Sequence, residues 1–533
     1  MPVILATSRH IPLPNEYDLW CVISGSLDFL EVSKRVPGLA SQLEIAYETI
    51  REEWISLARV FKDEGSIASS SHTSSCNTNA SDFGTMLAWS ALYKKWEAAP
   101  ETTLFICNDP WMYRHLASIG GQCHGNAPIL LFANLKLFIR GYIARAYYAL
   151  RAIYAKLITN IDVLSCPIGS VAILTYGHPK SVVEGYDGYF GSLMSWEEKL
   201  TRIIHVDCPI SRFQIIAKDG RSFSLHSWGS FSFALTLPFQ IWRWGPSARS
   251  GSNFWLVRRI VARENSTAQI AAISWQKHCQ EKWIKIQRPR TILWPWENQG
   301  WERAMVTEGR QNGAKTFGYQ HTVVGRRHWV HLPINSSKNE DTLPELIICS
   351  GPVWMSTLEN YGIPRERMEL GGALRFTDLN AVNRDPRGPI FVALPFMHSI
   401  AGQIYRAIWC LAKEGRYEFL VSTHPMNPYQ LKNQRGITYT QNSLADQDGI
   451  SAVIYASTTV GLEALIAGLP VVRFVPEGSI AVDVMPEGLN VAYADAINLG
   501  DILERTISKD VKRVSATEFF QPPKRKYWAK IVS

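Results

Sequence analysis

The sequence predicts an α/β chain of two doubly wound parallel sheets facing a cleft, preceded by a smaller α/β extension. Three observations lead there. Short apolar runs recur without polar alternation and read as strands buried on both faces. Helical patterns stand between them, so strand and helix alternate. At 533 residues the chain is too long for one core, and two or three domains are expected. The expected layout is an extension over 1–160, a first sheet domain over 161–385 and a second over 386–533.

Taken in order, residues 1 to about 60 hold short apolar runs such as Trp20 to Ile23, then a helical pattern from Leu39 to Phe61. The Ser/Thr/Asn-rich stretch Gly65 to Ser81 reads as a flexible exposed loop. Thr103 to Cys107 is a strand, and a helix follows from Trp111 to Ile119. This first part looks like a small α/β unit of its own. From Leu130 to Thr159 the pattern is helical, with Lys136, Arg140, Arg145, Arg151 and Lys156 and no acidic residue. Such a helix either links domains with a solvated basic face or lies on an anionic membrane.

The next domain opens with the strand Ser170 to Thr175, then a loop carrying Asp187, Tyr189 and Gly191. Strand and helix repeat through His205 and Phe213 to Ala217, up to one long helix from Asn253 to Trp283. The aromatic-rich Phe231 to Trp244 contains Pro238 and Arg243, so it reads as core or a membrane-touching loop rather than a span. Three strands follow at Thr291 to Trp296, Lys315 to Tyr319 and Leu346 to Ser350. The polar stretch Asn380 to Gly388 is the expected linker. Beyond it come strands at Ile390 to Leu394, Glu418 to Ser422, Ala452 to Ala456 and Val471 to Val475. Between the last two, Ser457, Thr458 and Thr459 lead into a helix from Val460 to Ala467, which Gly468 closes and Pro470 cannot extend. The basic C-terminal K-R-K-Y-W-A-K reads as a solvated end.

Composition narrows the function. Apolar residues at 46% and charged residues at 19% indicate a globular chain rather than a disordered one. A net charge of +8 favours anionic partners such as nucleotide-sugars, anionic lipid headgroups or nucleic acid, without choosing among them. The nine Cys are single and unpaired in pattern, without a C-x-x-C, which indicates neither a disulfide framework nor a zinc site and fits a reducing cytoplasm. No signal peptide and no spanning helix are expected.

In doubly wound sheets ligands bind outside the carboxyl ends of the strands, and the chemically informative residues fall at such ends. Glu297 follows the strand I-L-W-P-W and is the first candidate for a base, with Glu302 five residues on. Glu302 also suits capping of the next helix. His321 ends a strand and could move a proton near neutral pH. His424 and Pro425 end another, where an imidazole could donate to a departing phosphate. Ser457, Thr458 and Thr459 stand at a helix N-terminus, whose N–H groups and dipole attract phosphate. Glu463, one turn in, could accept from a ribose hydroxyl. No metal or cofactor is called for, since no D-x-D stands at a strand end.

The ordered set W-E-N-Q-G-W-E-R-A, G-Y-Q-H-T, P-E-L-I-I-C-S-G, G-G-A-L-R-F, T-H-P and A-S-T-T-V-G-L-E-A-L-I-A-G-L-P resembles bacterial surface-carbohydrate glycosyltransferases of O-antigen and capsule assembly. These are GT-B enzymes with two Rossmann-like domains. The His-Pro pair followed by a Ser/Thr pair is also similar to Kdo transferases and sialyltransferases, which use CMP-activated sugars. There the His and hydroxyl pair contact the CMP phosphate, which carries over to His424, Ser457 and Thr458. The resemblance covers roughly residues 165 to 510 and leaves the first 160 outside it. The acidic D/E-D/E-G motif that several sialyltransferases use for their base is missing, so Glu297 or Asp187 would fill that role.

The resemblance implies transfer of a sugar, Kdo or sialic-acid-like, from a CMP donor to a glycan or lipid-linked acceptor, without nucleic acid as a partner. The implied location is the cytoplasm, with peripheral contact at the anionic inner face of the membrane. Three other readings share the features: a CDP-alcohol glycerophosphotransferase, a UDP-sugar epimerase, and a non-catalytic scaffold of a polysaccharide assembly complex.

Overall fold

The structure, a computed structural model, describes residues 3–24, 30–64, 74–159, 165–243, 251–334, 341–375 and 382–532. Its strands form three sheets in which every neighbouring pair is parallel. The first holds β1 (Val3–Ala6), β2 (Leu19–Ser24), β3 (Thr103–Cys107) and β4 (Gln122–His124), in the order β2-β3-β1-β4. The second holds β5 (Val171–Thr175), β6 (Thr201–Ile204), β7 (Ser222–Ser224), β8 (Thr291–Pro295), β9 (Lys315–Gln320), β10 (Leu346–Cys349) and β11 (Met368–Leu370), in the order β11-β10-β9-β8-β5-β6-β7. The third holds β12 (Ile390–Ala393), β13 (Phe419–Ser422), β14 (Ile437–Thr440), β15 (Ala452–Tyr455), β16 (Val471–Phe474) and β17 (Ala492–Ala494), in the order β14-β13-β12-β15-β16-β17.

The expected α/β class, with two doubly wound sheets and a further α/β sheet formed by the extension, is the one observed. The continuous apolar runs explain it, since β3, β5, β8, β12, β15 and β16 are buried along their whole length. Strand order reverses between β5 and β8 in the second sheet and between β12 and β15 in the third. Crevices therefore open at the carboxyl ends of those strands.

Several expectations need correction. The extension has its own sheet but shares its core: Trp242, Leu256, Ile260, Trp329 and Ile480 pack in the same cluster as Leu43, Trp54 and Trp89. The stretch expected to be an exposed loop is buried or half-buried where it is described, and Ser74, Ser75, Cys76 and Thr78 are at most 1% exposed. Partners make that affordable: the Trp54 indole donates to Ser74 O at 3.3 Å, and Tyr47 Oη bonds Thr78 Oγ1 at 2.6 Å. Residues 65–73 of that stretch lie outside the described residues, as do 376–381 at the linker and Trp244. The single helix expected from Asn253 is two, Phe254–Asn265 and Gln269–Gln287. Between them Ser266 and Thr267 turn their hydroxyls onto the carbonyls of Arg263 and Glu264, which competes with the helical ladder.

The C-terminal tail is no solvated end. Residues Arg525–Val532 form a helix that returns to the second sheet, with Trp528 fully buried against Tyr319 and its indole donating to Gly371 O at 2.9 Å. Its Lys and Arg side chains stay at the surface while the apolar residues dock.

One carboxylate ties the three sheets. Glu44, on the extension helix Leu39–Thr49, accepts from Arg327 of the second sheet's loop at 3.0 Å and from Arg473 of β16 at 2.8 Å. All three residues are at most 6% exposed. Burial pushes the Glu44 pKa up, but Arg473 and Arg327 outweigh it and hold the group below its usual range. A second tie joins Arg259 to the extension through Asp109 at 2.7 Å and through Asp82.

Removing one partner from a buried ion pair leaves charge uncompensated, so Glu44→Ala should lower unfolding free energy by about 3–5 kcal/mol in urea titration. Because the folded pKa is depressed, Glu44 contributes fully above its unfolded value of about 4.3. That contribution is lost as pH falls through the lower, folded pKa, and the Glu44→Ala variant should lack this part of the acid dependence.

Candidate active site

The turn after β8 is built around Glu302. Its carboxylate accepts from the Trp294 indole at 2.9 Å and from the backbone N–H of Glu297, Asn298 and Gln299 at 3.0, 2.9 and 3.2 Å. This is a capping box with Gln299 at the start of helix Gly300–Gln311. Burial and then the Glu297 charge push the Glu302 pKa to about 8, against the pull of those donors. Glu302 therefore shapes the turn instead of facing the cleft. Asn298 completes it in the left-handed region at φ 57°, held there as its amide donates to Val330 O at 2.8 Å.

Glu297 is thereby turned outward, with its side chain 35% exposed. Desolvation in the cleft raises its pKa, opposed by a Gln299 hydrogen bond and the Arg375 charge. Its Oε1 lies 3.6 Å from His321 Nε2. His321 is buried at the end of β9, with Tyr189 edge-on to the ring at 5.1 Å. Burial first, then the Arg375 charge, hold the imidazole well below its ordinary pKa, so it is neutral at pH 7.

Two cavities of about 240 Å³ each adjoin Glu297 and Gln299. Together they come within the ~300–1,000 Å³ of small-molecule sites. One lies between the sheets, lined by Asn77 and Asn79 of the extension, His328 and His331 of the second sheet, and Ser457 and Thr459 of the third. The other opens at the β5/β8 reversal of the second sheet, lined by Tyr176, His205, Asp207, Gln276 and Trp301. There Tyr176, His205 and Trp301 pack ring against ring, with centroids 4.7–5.8 Å apart. The Asp207 N–H donates to His205 Nδ1 at 3.2 Å, which puts the ring proton on Nε2. His205 Nε2 and Gln276 Nε2 are buried donors without a partner among the described residues. An aromatic wall with unspent donors is suited to a sugar.

On the third sheet, Thr459 precedes helix Val460–Ala467 but does not cap it with its side chain; its hydroxyl donates to Glu463 Oε1 at 2.7 Å instead. That corrects the expected capping. Gly461 lets the helix start sit against Tyr455, because a Cβ there would stand 2.7 Å from that ring. Gly468 ends the helix at φ 86°, as its position implies. Thr458 Oγ1 is buried without a partner among the described residues. Burial raises the Glu463 pKa, with Arg375 and Lys180 opposing. His424 Nδ1 accepts from the Met426 N–H at 3.2 Å, leaving Nε2–H as the donor, and burial lowers its pKa.

The predicted residues are thus only partly gathered. Glu297, Ser457 and Thr459 line one cavity and His321 backs it. His424 and Pro425 follow β13, two strands from β15, which is about 10 Å at the usual strand spacing. Asp187 is withdrawn: it is 0% exposed and accepts from Thr175, Ser181 and the N–H groups of Tyr189 and Phe190, beside Arg202 at 3.5 Å. With its oxygens committed to the loop, it offers no base to the cleft.

Arg375, in the G-G-A-L-R-F run, went unassigned by sequence. It lies over the Tyr189 ring at 5.5 Å, and its charge acts on Glu297, His321 and His178 from the second sheet and on Glu463 from the third. Tyr176 and His205 directly follow β5 and β6, so the strand-end rule could have found them. Gln276 sits mid-helix and Asn77 in a polar run, where nothing in the sequence marks them.

No protein-family model matches the chain, and no curated protein matches it by sequence. Solved structures similar to it include a glycotransferase of kitacinnamycin, at 10% identity and a TM-score of 0.40 over 68% of this chain and 94% of that one. The glycosyltransferase SnogD from Streptomyces nogalater is 12% identical, with a TM-score of 0.37 over 69% and 95%. UDP-GlcNAc 2-epimerase from Neisseria meningitidis, bound to UDP-GlcNAc, is 11% identical, with a TM-score of 0.35 over 68% and 98%. Likeness at this level assigns no role to any residue.

The two carboxylates of the β8 turn should separate by variant. Glu302→Gln sets an amide NH₂ against N–H donors and should cost about 1–3 kcal/mol in thermal or urea unfolding. Glu297→Gln should stay within about 0.5 kcal/mol of the native protein.

Proposed function

We propose that the chain is a glycosyltransferase that uses a nucleotide-sugar donor. The observation that carries this reading is Glu297, a carboxylate with a raised pKa shared by two adjoining cavities. One cavity offers hydroxyls and a helix N-terminus from the facing sheet, which suits a nucleotide phosphate. The other offers aromatic faces and buried donors, which suits an acceptor sugar. Glu297 takes the proton from the acceptor hydroxyl as its oxygen bonds to the anomeric carbon, and the electron pair of the breaking bond leaves with the phosphate. Arg375, His424 Nε2–H and the N–H groups at Val460 oppose the charge that develops there. His321, neutral and 3.6 Å away, positions Glu297.

Within this reading the donor is a CMP-activated Kdo or sialic-acid-like sugar, on the resemblance of the T-H-P and S-T-T stretches. The acceptor is a surface glycan or a lipid-linked precursor met at the inner face of the membrane. A CDP-alcohol glycerophosphotransferase would use the same cleft with a different donor, a UDP-sugar epimerase would convert free UDP-sugar there without any acceptor, and a scaffold would bind no nucleotide.

A thermal-shift screen with CMP, CDP, UDP, GDP and their sugars decides among these. Ligand at 100 times its dissociation constant stabilises by about 2.7 kcal/mol, and CMP should give that shift in the native protein but not in His424→Ala. A shift with UDP alone, or turnover of free UDP-sugar without acceptor, would discard the CMP donor. No shift with any nucleotide would discard the enzyme reading.

Glu297→Gln should lower kcat by about 10²–10⁴. Since the base acts deprotonated and its pKa is raised, kcat/KM should fall with decreasing pH at an apparent pKa above the ordinary carboxylate value of about 4.3.

A further inference from the structure

Helix Leu130–Thr159 presents an unusual outer face. Its inner side is made of Gly141, Arg145, Ala149, Ala152, Ala155 and Thr159, and it packs on the segments around Ser227, Pro238 and Asn265. Arg145 fastens it there, donating to Pro238 O at 3.0 Å and to Asn265 O. Its outer side is apolar and open. Phe132, Leu135, Ile139, Ile143, Leu150 and Leu157 recur at helical spacing along one face, each between 49% and 69% exposed. At 1.5 Å per residue the helix runs about 45 Å.

A second element extends the face. The turn after the short helix Phe231–Ala234 leaves Leu235 65% and Phe239 70% exposed, and Phe239 meets Tyr142 of the long helix at 6.0 Å. Scattered exposed apolar residues are ordinary, but a contiguous band of this length marks a surface that something covers. Among the described residues no helix is long and apolar enough to cross a membrane.

Charge decides what covers it. Lys136, Arg140 and Arg151 are exposed and lie together along one edge of the apolar band, and no acidic residue occurs from 130 to 159. A second copy docking by the same face would bring these cations against their own kind. An anionic bilayer would accept the apolar side chains between its headgroups and pair the cations with phosphate.

We propose that helix Leu130–Thr159 and the Leu235–Phe239 turn form one monotopic membrane-binding face that seats the protein in the plane of an anionic lipid surface. The placement has a consequence for the cleft. Helix Gln269–Gln287 carries Gln269, Ile273 and Gln276 into the aromatic cavity. The same cavity's Asp207 acts electrostatically on Tyr148 of the long helix. Ala149 and Ala152 of the long helix share a core cluster with Trp275 and Cys279 of helix Gln269–Gln287, so the aromatic cavity lies behind the membrane-facing element, on its protein side. This deepens the peripheral-membrane part of the proposed function and is independent of donor identity.

The test is vesicle flotation of the full chain. The native protein should float with vesicles of mixed phosphatidylcholine and phosphatidylglycerol, and far less with phosphatidylcholine alone. Leu135→Asp with Ile139→Asp should reduce binding at least tenfold, since both side chains are exposed and the fold, checked by Tm, should be kept. Lys136→Gln, Arg140→Gln and Arg151→Gln together should reduce it on the order of 100-fold and remove its salt dependence. Native protein that stays unbound, or variants that float as well as the native chain, would overturn the proposal. So would a concentration-dependent dimer in sedimentation that the Asp variants abolish. Nucleotide shifts retained in both sets of variants keep this outcome separate from that of the donor screen.

Discussion

One buried carboxylate joins all three sheets around the cleft. Glu44 stands on the extension, Arg327 on the second sheet's loop and Arg473 on the third sheet's β16, and their contacts leave almost no exposed surface. In such surroundings an unpaired charge is far costlier than in water, so the three elements hold one mutual geometry or none. The cavity lined by Asn77, His331 and Ser457 exists because those elements are held together.

Inside the cleft a division of labour follows from burial. Glu302 and Asp187 have their oxygens committed to N–H and O–H donors, so they shape backbone. Glu297 is displaced from that role by the left-handed turn at Asn298 and is left facing two cavities. The imidazoles around it, His178, His321, His328 and His331, are driven toward neutrality by burial, and Arg375 adds to this at His178 and His321. Positive charge near Glu297 therefore comes from the Arg375 guanidinium, while the histidines serve as hydrogen-bonding groups.

The basic helix shows how one sequence pattern can serve two faces. Its small residues and Arg145 bind it to the protein, and its large apolar residues point away. That assignment inverts the usual amphipathic helix, whose apolar side faces the core and whose charges face water.

Most strands and the alternation that defines the α/β class could be read from the chain, because a strand buried on both faces must be continuously apolar. The helix end at Gly468 was legible for a different local reason, since glycine takes the left-handed cap conformation there at φ 86°. Strand-end placement of Glu297, His321 and Ser457 was legible too, since the parallel sheet puts ligands at carboxyl ends. What tertiary structure alone decided was which polar residues are buried and with whom. Ser74 to Thr78 look like loop, yet Trp54, Tyr47 and Glu264 from distant segments satisfy them. Trp528 looks like a frayed end, yet it fills a socket beside Tyr319. Glu44 and Arg473, 429 positions apart, meet through no periodicity a sequence can display. Pairings across such distances are set by how whole sheets dock, and local propensity carries no information about that.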